Sequence, residues 1–440
     1  MDIRKLFTGA SIVAFCGVVG VAGVLMGCAP QATSGSSVIE AQTVADSSAT
    51  KTMDEWGELY PLQYSSYHQS PIKGDGNTHG HYDLKQKLLA PVVRDGTKLI
   101  QDEEGNYAIS GYEYDEESHR WVIAEDQLGA VAANEFKMGC YSCKSGNFNE
   151  IYEERGAQIF TQDPDQEFID QIDGQVWDCQ ICHGDTAGSA PTSYLTYFNQ
   201  IGRDGIDSLN SAERACGQCH NSLDYRHAIT DQDAMDSFSA YRYGLDVDSL
   251  IQAVNDDDIT VMDEEIGVKR VVFDHDDVEF AHTSPMADLG VTCVTCHMPE
   301  STDETSGETY TNHHASGSPL ESEDSLEVCL TCHENQGIGS TEEMKQMVKD
   351  KQVEAAAAYD ASKAKLDQAR ELLAKATADG VSDADLEQVR ADYQKADAYL
   401  QHIKGGGNVP GAKVAHNPTA TFDLAAKAGN LADGIVEDLG

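Results

Sequence analysis

The sequence predicts a mainly α-helical fold with a loop-rich middle, long helices towards the C-terminus and little β structure. From Ser340 onwards Ala, Glu, Lys, Gln and Leu take over, the strongest helix formers. Between Tyr60 and Glu135, short apolar stretches are interrupted by Gly, Asp and Pro, as in Gly74-Asp75-Gly76-Asn77, which leaves little regular structure. Ten of the twelve cysteines fall into five C-x-x-C units between Cys140 and Cys332, and the other two lie within the first 28 residues. The hydrophobic share of the 440 residues is 40% and the aromatic share 7%, so something besides side chains helps to build the core.

In chain order, Arg4 and Lys5 form a basic end ahead of an apolar run from Ile12 to Met26, as in an export signal. Leu25-Met26-Gly27-Cys28 then resembles a bacterial lipobox, so residues 1–27 read as a lipoprotein signal peptide with a lipid added to the Cys28 thiol. The alternative is an uncleaved helix of near-spanning length. Either way the mature chain faces the outside; in the first reading Cys28 anchors it to the outer face of the cytoplasmic membrane, in the periplasm or at the cell surface. Residues 28–52, rich in Ser, Thr, Ala and Gln, form a flexible tether, and the folded part starts near Trp56.

A domain at 53–340 holds all five cysteine units, and a C-terminal part at 341–440 follows. There Asp379-Gly380 breaks the helical run, and Ser382 with Asp385 resembles a capping box that opens a second helix. Leu386, Val389, Tyr393, Ala396, Leu400 and Ile403 follow the alternating three-and-four spacing of a packed seam, before Gly405-Gly406-Gly407 ends the helix. The pair is either an internal hairpin or a subunit interface. The formal charge of −45, from 75 acids against 30 bases, excludes nucleic acid as a partner and argues against a polybasic membrane patch. It reads as a solubility device or an adaptation to salt.

Four units have the form C-x-x-C-H: Cys179/Cys182/His183, Cys216/Cys219/His220, Cys293/Cys296/His297 and Cys329/Cys332/His333. Two cysteines at this spacing form thioethers to the vinyl groups of a haem, and the adjacent histidine reaches the iron from one side. One such motif is ambiguous between haem, zinc and a redox dithiol, but a set that uses every thiol beyond Cys28 points to a multihaem c-type cytochrome with five covalently bound haem c groups. Export agrees, because this attachment takes place outside the cytoplasm. The leading unit, Cys140-Tyr141-Ser142-Cys143-Lys144, carries lysine in place of histidine. It is either a degenerate or structural cysteine pair, or a haem site whose proximal iron ligand is the deprotonated Lys144 amine. A haem singled out in this way is the natural open, substrate-binding site. Eleven of the fifteen histidines remain for the second faces of the other four, and bis-histidine ligation tends to keep potentials low.

A lysine-type unit leading four histidine-type units resembles the pentahaem, ammonia-forming cytochrome c nitrite reductases. The likeness extends to E-L-Y-P-L-Q-Y-S-S-Y within Trp56–Tyr67, C-V-T-C-H-M-P from Cys293 to Pro299, Tyr310-Thr311-Asn312-His313 and His416-Asn417-Pro418, covering roughly residues 55–425. The resemblance implies distal iron ligands: His313 for the haem of Cys179/Cys182, His119 for Cys216/Cys219, His416 for Cys293/Cys296 and His282 for Cys329/Cys332. Above the haem of Lys144 it implies an arginine, a tyrosine and a histidine that hold an anion and deliver protons. His275 matches the histidine by its distance ahead of Cys293. Tyr225 lies two residues past the usual offset, and Arg120 is the arginine nearest the expected stretch. One calcium ion is implied at Asp224, Tyr225 and Asp274, which read otherwise as solvated loop acids.

The activity implied is the six-electron reduction of nitrite to ammonium. The donor implied is a membrane quinol dehydrogenase cytochrome, and the assembly a homodimer built on the long C-terminal helices. The alternatives are a pentahaem reductase of another small acceptor, such as hydroxylamine, nitric oxide or sulfite, and a non-enzymatic electron-transfer lipoprotein.

Overall fold

The computed structural model describes residues 53–67, 99–101, 107–109, 112–115, 120–123, 137–143, 146–162, 165, 167–168, 171, 179–184, 192–222, 229–273, 275–314, 318–404 and 411–440. The expected signal and tether, with His119, Lys144, Asp224, Tyr225 and Asp274, lie outside the described residues; for Arg120, Cys140 and Cys143 only the backbone is described.

The C-terminal part is a bundle of three helices, Thr341–Ala378, Asp383–Lys404 and Pro418–Leu439. Each starts on a side chain that satisfies an otherwise unpaired backbone N–H. Ser340 Oγ accepts from Glu343 N at 3.2 Å, Ser382 Oγ from Asp385 N at 3.3 Å, and Asn417 Oδ1 from Ala420 N at 3.0 Å. Gly380 takes φ +79° directly after the first helix, a left-handed turn that glycine adopts without steric cost. Every position of the expected seam is buried: Leu386, Val389, Tyr393, Ala396, Leu400 and Ile403. They pack within the chain's own bundle, against both the first and the third helix.

The sequence predicts the stretch of the third helix only as a C-terminal segment. Its buried stripe is Leu424, Ala425, Ala428, Ala432 and Ile435, mostly small side chains that let backbones approach. The Ser362 hydroxyl of the first helix donates to the Ala425 carbonyl at 2.7 Å across that contact. Among the described residues no helix is long and apolar enough to cross a membrane.

The bundle is bonded to the segment that precedes His275. Gln401 accepts from Phe273 N at 3.1 Å and donates to Val271 O at 3.0 Å, while Arg270 pairs with Asp397 at 2.8 Å. An aromatic core forms from Phe148, Tyr152, Phe160 and Tyr197, with Phe160 and Tyr197 ring centres 5.6 Å apart. Such a pair contributes about 0.5–1.5 kcal/mol beyond its area burial.

Among the described residues β structure is confined to four two-stranded antiparallel hairpins with strands of three or four residues. Two of them, Leu99–Gln101 with Tyr107–Ile109 and Tyr112–Asp115 with Arg120–Ile123, occupy the stretch read as loop-rich. Tyr112, Tyr114, Trp121, Val122 and Ile123 are good strand formers, but their strands are too short for a legible alternation.

Gly411 sits at φ +86° ahead of the Ala412–Ala415 turn, where an added Cβ would fall on the Gln352 carbonyl oxygen of the first bundle helix. Gly411→Ala should cost about 1–2 kcal/mol for the left-handed backbone and about 1–3 kcal/mol for overpacking. Thermal denaturation followed by far-ultraviolet circular dichroism should show a lowered midpoint.

Candidate functional site

Each C-x-x-C-H unit folds as one helical turn. Cys179 caps the helix Gln180–His183, Cys293–His297 is itself a helix, and Cys329 to His333 closes the helix Glu323–His333. Cys216 lies near the end of Ser211–Gly217, and the chain turns on through His220. The bonds His183 N→Cys179 O at 3.0 Å and His220 N→Cys216 O at 2.8 Å put the first cysteine and the histidine on one face, four residues apart. All eight described cysteines of the histidine units are half-buried, and none is in a disulfide. Met138–Cys143 of the leading unit forms a 3₁₀ turn.

Cys182, Cys216 and Cys219, read from the sequence as haem-attachment residues, also pack against the main apolar core. The reason lies in their neighbours. Ile181, directly before Cys182, is 4% exposed and belongs to that core, and Gly217 lies against Phe198 and Val278, which draws the turn through Cys219 inwards. A thiol or thioether sulfur behaves as a small apolar group, so packing and attachment can share one side chain. Cys293, Cys296, Cys329 and Cys332 are not among the residues packed on that core.

These turns lie in a row. Gln180–His183 packs on Ser211–Gly217, which packs on Cys293–His297, which packs on Glu323–His333. The thiols of Cys216 and Cys293 meet, as do those of Cys296 and Cys329.

Two pairs of imidazoles face each other. The rings of His183 and His313 have centres 6.2 Å apart, inclined at 34°; those of His297 and His416 are 6.1 Å apart at 44°. Two imidazoles bound to one metal through bonds of about 2 Å have ring centres about 6.3 Å apart, so each gap has the width an iron would need.

The second partners of these rings explain the flanking motifs. His313 Nδ1 lies 2.8 Å from the Thr311 carbonyl, which fixes the proton on Nδ1 and leaves Nε2 for a metal. Its backbone N–H donates to Ser66 Oγ at 2.9 Å, so the helix Pro61–Tyr67 of the entry motif holds this histidine. Burial keeps both His313 and His416 below the usual histidine range, the neutral form that a ligand requires. Asn417, beside His416, donates to Phe280 O at 3.0 Å while capping the third bundle helix.

Two further histidines lean on carboxylates. His220 Nδ1 is 3.1 Å from Asp277 Oδ2, and His282 Nδ1 is 3.1 Å from Glu213 Oε2. Glu213 accepts from His282 Nδ1, which fixes the ring's orientation and raises its pKa, favouring the protonated ring in the protein alone. Among the described residues His282 and His333 do not form a facing ring pair like the other two. His275 stands edge-on to His220, with centres 6.4 Å apart and planes at 73°. Its carbonyl accepts from Asp277 N at 2.8 Å, so the candidate catalytic histidine and the carboxylate behind His220 share one tight turn.

Arg120 opens a short strand and is registered against Asp115. Among the described residues no group of three His, Cys, Asp or Glu side chains is poised for a metal ion, and the three expected calcium ligands lie outside them.

Covalent haem attachment is the chemistry these turns serve, and the iron-wide gaps fit it; the class is that of the multihaem c-type cytochromes. Comparison with known proteins makes this particular. The chain belongs to the cytochrome c552 family, whose model matches residues 52–434. It is similar to the cytochrome c-552 of Haemophilus ducreyi, 24% identical over 210 residues that cover 45% of this chain and 40% of that protein. It is also similar to the cytochrome c-552 of Bacteroides fragilis, 24% identical over 316 residues, 68% of this chain and 59% of the other. The chain thus spans 40% and 59% of the length of these relatives. Its fold is similar to the cytochrome c nitrite reductase catalytic subunit of Desulfovibrio desulfuricans, with a TM-score of 0.61 at 16% identity over 90% of this chain and 87% of that one. That protein has two calcium sites.

Sequence reading missed Asp277, Glu213 and Glu279, because an acid that orients a ligand looks like any other of the 75 acids. Glu279 is fully buried; it accepts from Tyr241 Oη at 2.9 Å and from Ser222 N at 3.3 Å. Burial, reinforced by the charge of Asp276, pushes its pKa up to about 8. A raised carboxyl pKa contributes stability that is present in acid and is lost as pH climbs from the unfolded value towards 8, at about 1.4 kcal/mol per pH unit. Glu279→Gln should therefore lose less melting temperature than the parent between about pH 5 and about pH 8. Equal losses would show that Glu279 ionises normally in the fold.

Proposed function

We propose that this chain reduces nitrite to ammonium. Cys140, Cys143 and Lys144 hold the haem at which the substrate reacts, and the four histidine units hold haems that carry electrons. The observation that carries this reading is the pair of iron-wide gaps, His183 to His313 and His297 to His416, within a row of adjoining attachment turns. His119 and His282 complete the set as distal ligands for the haems of His220 and His333. When bound, the haems would relay to nitrite the six electrons that the external donor supplies.

The protein's own part is to hold the anion and to supply protons. His275 is the proton donor, and its turn is fixed by the Asp277 N–H to its carbonyl. Tyr225 adds a hydroxyl as a second donor. Arg120 supplies the cation that attracts nitrite into a chain of formal charge −45. Asp224, Tyr225 and Asp274 offer the hard oxygens a calcium ion takes. The chain is exported and anchored through Cys28. It is fed by a membrane quinol dehydrogenase cytochrome and works as a homodimer, with contacts on helix faces other than the internal seam.

One observation favours a second substrate class: no arginine occurs from Trp121 to Glu135. A site with less positive charge suits hydroxylamine or nitric oxide better than an anion.

Purified holoprotein with reduced viologen should convert nitrite to ammonium, with turnover on hydroxylamine, nitric oxide and sulfite measured alongside. A protein inactive on all four, with every haem low-spin, is an electron conduit. Replacing His275 by Asn should lower kcat for nitrite by about 10²–10⁴-fold, the usual contribution of a positioned acid. His313→Ala and His416→Ala should each turn one low-spin haem high-spin in electron paramagnetic resonance while all five haems remain attached. Unchanged spectra would remove these two histidines from the ligand set.

A further inference from the structure

Behind the His275 turn lies a charged cluster that haem binding does not use. Lys413, Asp276 and His402 are each no more than 2% exposed at the side chain. The Lys413 ammonium donates to Asp276 Oδ1 at 2.7 Å, to the Asp276 carbonyl at 3.2 Å and to the His402 carbonyl at 3.0 Å. His402 Nδ1 meets the second Asp276 oxygen, and Phe273 and Phe280 flank its ring at 5.5 and 5.0 Å. The ammonium also stands 4.7 Å from the Phe280 ring centre and 3.6 Å from Asp277 Oδ1.

Desolvating such charges is costly, and well-packed apolar residues of similar volume serve stability equally well or better. What the cluster specifies is position. Asp276 directly follows His275, Asp277 holds His220, and Lys413 lies three residues ahead of His416, which faces His297. His402 closes the second bundle helix. One lysine therefore ties together the proton donor of the reaction, the ligand of one haem and the distal ligand of the next.

We propose that Lys413 is a positioning residue of the catalytic centre: its ammonium clamps the His275–Asp277 turn to the segment that carries His416, aligning His275 with the ligands of two neighbouring haems. The kinetic side of this inference rests on the nitrite-reducing reading above; its spectroscopic side does not.

The test uses the holoprotein with Lys413→Met and Lys413→Arg. With five haems retained, Lys413→Met should lower kcat for nitrite by about tenfold or more while KM stays within about twofold, because alignment is lost rather than substrate binding. The midpoint potential of at least one low-spin haem should fall, because Asp276 and Asp277 lose their counter-charge and the oxidised iron is favoured. Lys413→Arg, which keeps the charge, should hold both quantities near the parent's. Wild-type potentials and kcat in Lys413→Met overturn the proposal. If Lys413→Met takes up no haem, Lys413→Arg decides: parental behaviour supports the clamp, and the same defect shows that side-chain volume, not the cation, is what matters. If the parent does not reduce nitrite, the functional reading falls, while the potential shift still tests the clamp.

Discussion

An iron held between two imidazoles needs its second ligand at one distance and one angle, and that ligand cannot come from the turn that supplies the first. The attachment turn is local: four residues of helix bring cysteine and histidine to the same face. The opposing imidazole comes from far along the chain, His313 opposite His183 and His416 opposite His297. Everything around these rings works to meet that distance. The hydroxyl of Ser66 holds the backbone of His313, and Asn417 anchors the start of the third bundle helix beside His416. A chain with 7% aromatic residues can sustain such a fold because porphyrin takes over part of the interior that side chains would otherwise fill.

How much of this was legible in the sequence depended on the range of the interaction. Attachment turns were plain, since five residues carry both the geometry and the chemistry. That Cys182 and Cys219 also pack on the core was not, because a motif says nothing of what lies behind it. The seam from Leu386 to Ile403 was as plain as the turns, because a helix repeats its buried face at a fixed spacing. The third bundle helix was hidden, because alanines fill much of its inner stripe and few large apolar side chains mark its buried face. Short hairpins such as Tyr112–Asp115 with Arg120–Ile123 carry too few residues for a strand pattern.

The residues that orient the ligands were hidden for a different reason. Asp277 and Glu213 acquire their meaning only when a distant imidazole arrives, and nothing in their local sequence announces it. Lys413 is the clearest case. A lysine between Ala412 and Val414 reads as a surface residue, yet the fold buries it against two aspartates in a strongly acidic protein. Cations are scarce here, 30 among 440 residues, and a buried one marks a place where repulsion between acids would otherwise open the structure.

The distance between partner ligands also bears on how such a protein is made. Synthesis runs from the N-terminus, and each cysteine turn can capture its porphyrin as it emerges, needing only five consecutive residues. His183 nevertheless waits for His313, and His297 waits until nearly the whole chain has been made and His416 appears. During that interval an iron held by such a turn would have a histidine on one side only and would be open to small ligands on the other. The long helices at the end of the chain thus act as a late closure, and a product truncated before residue 416 would leave the cell with an armed and unprotected haem protein.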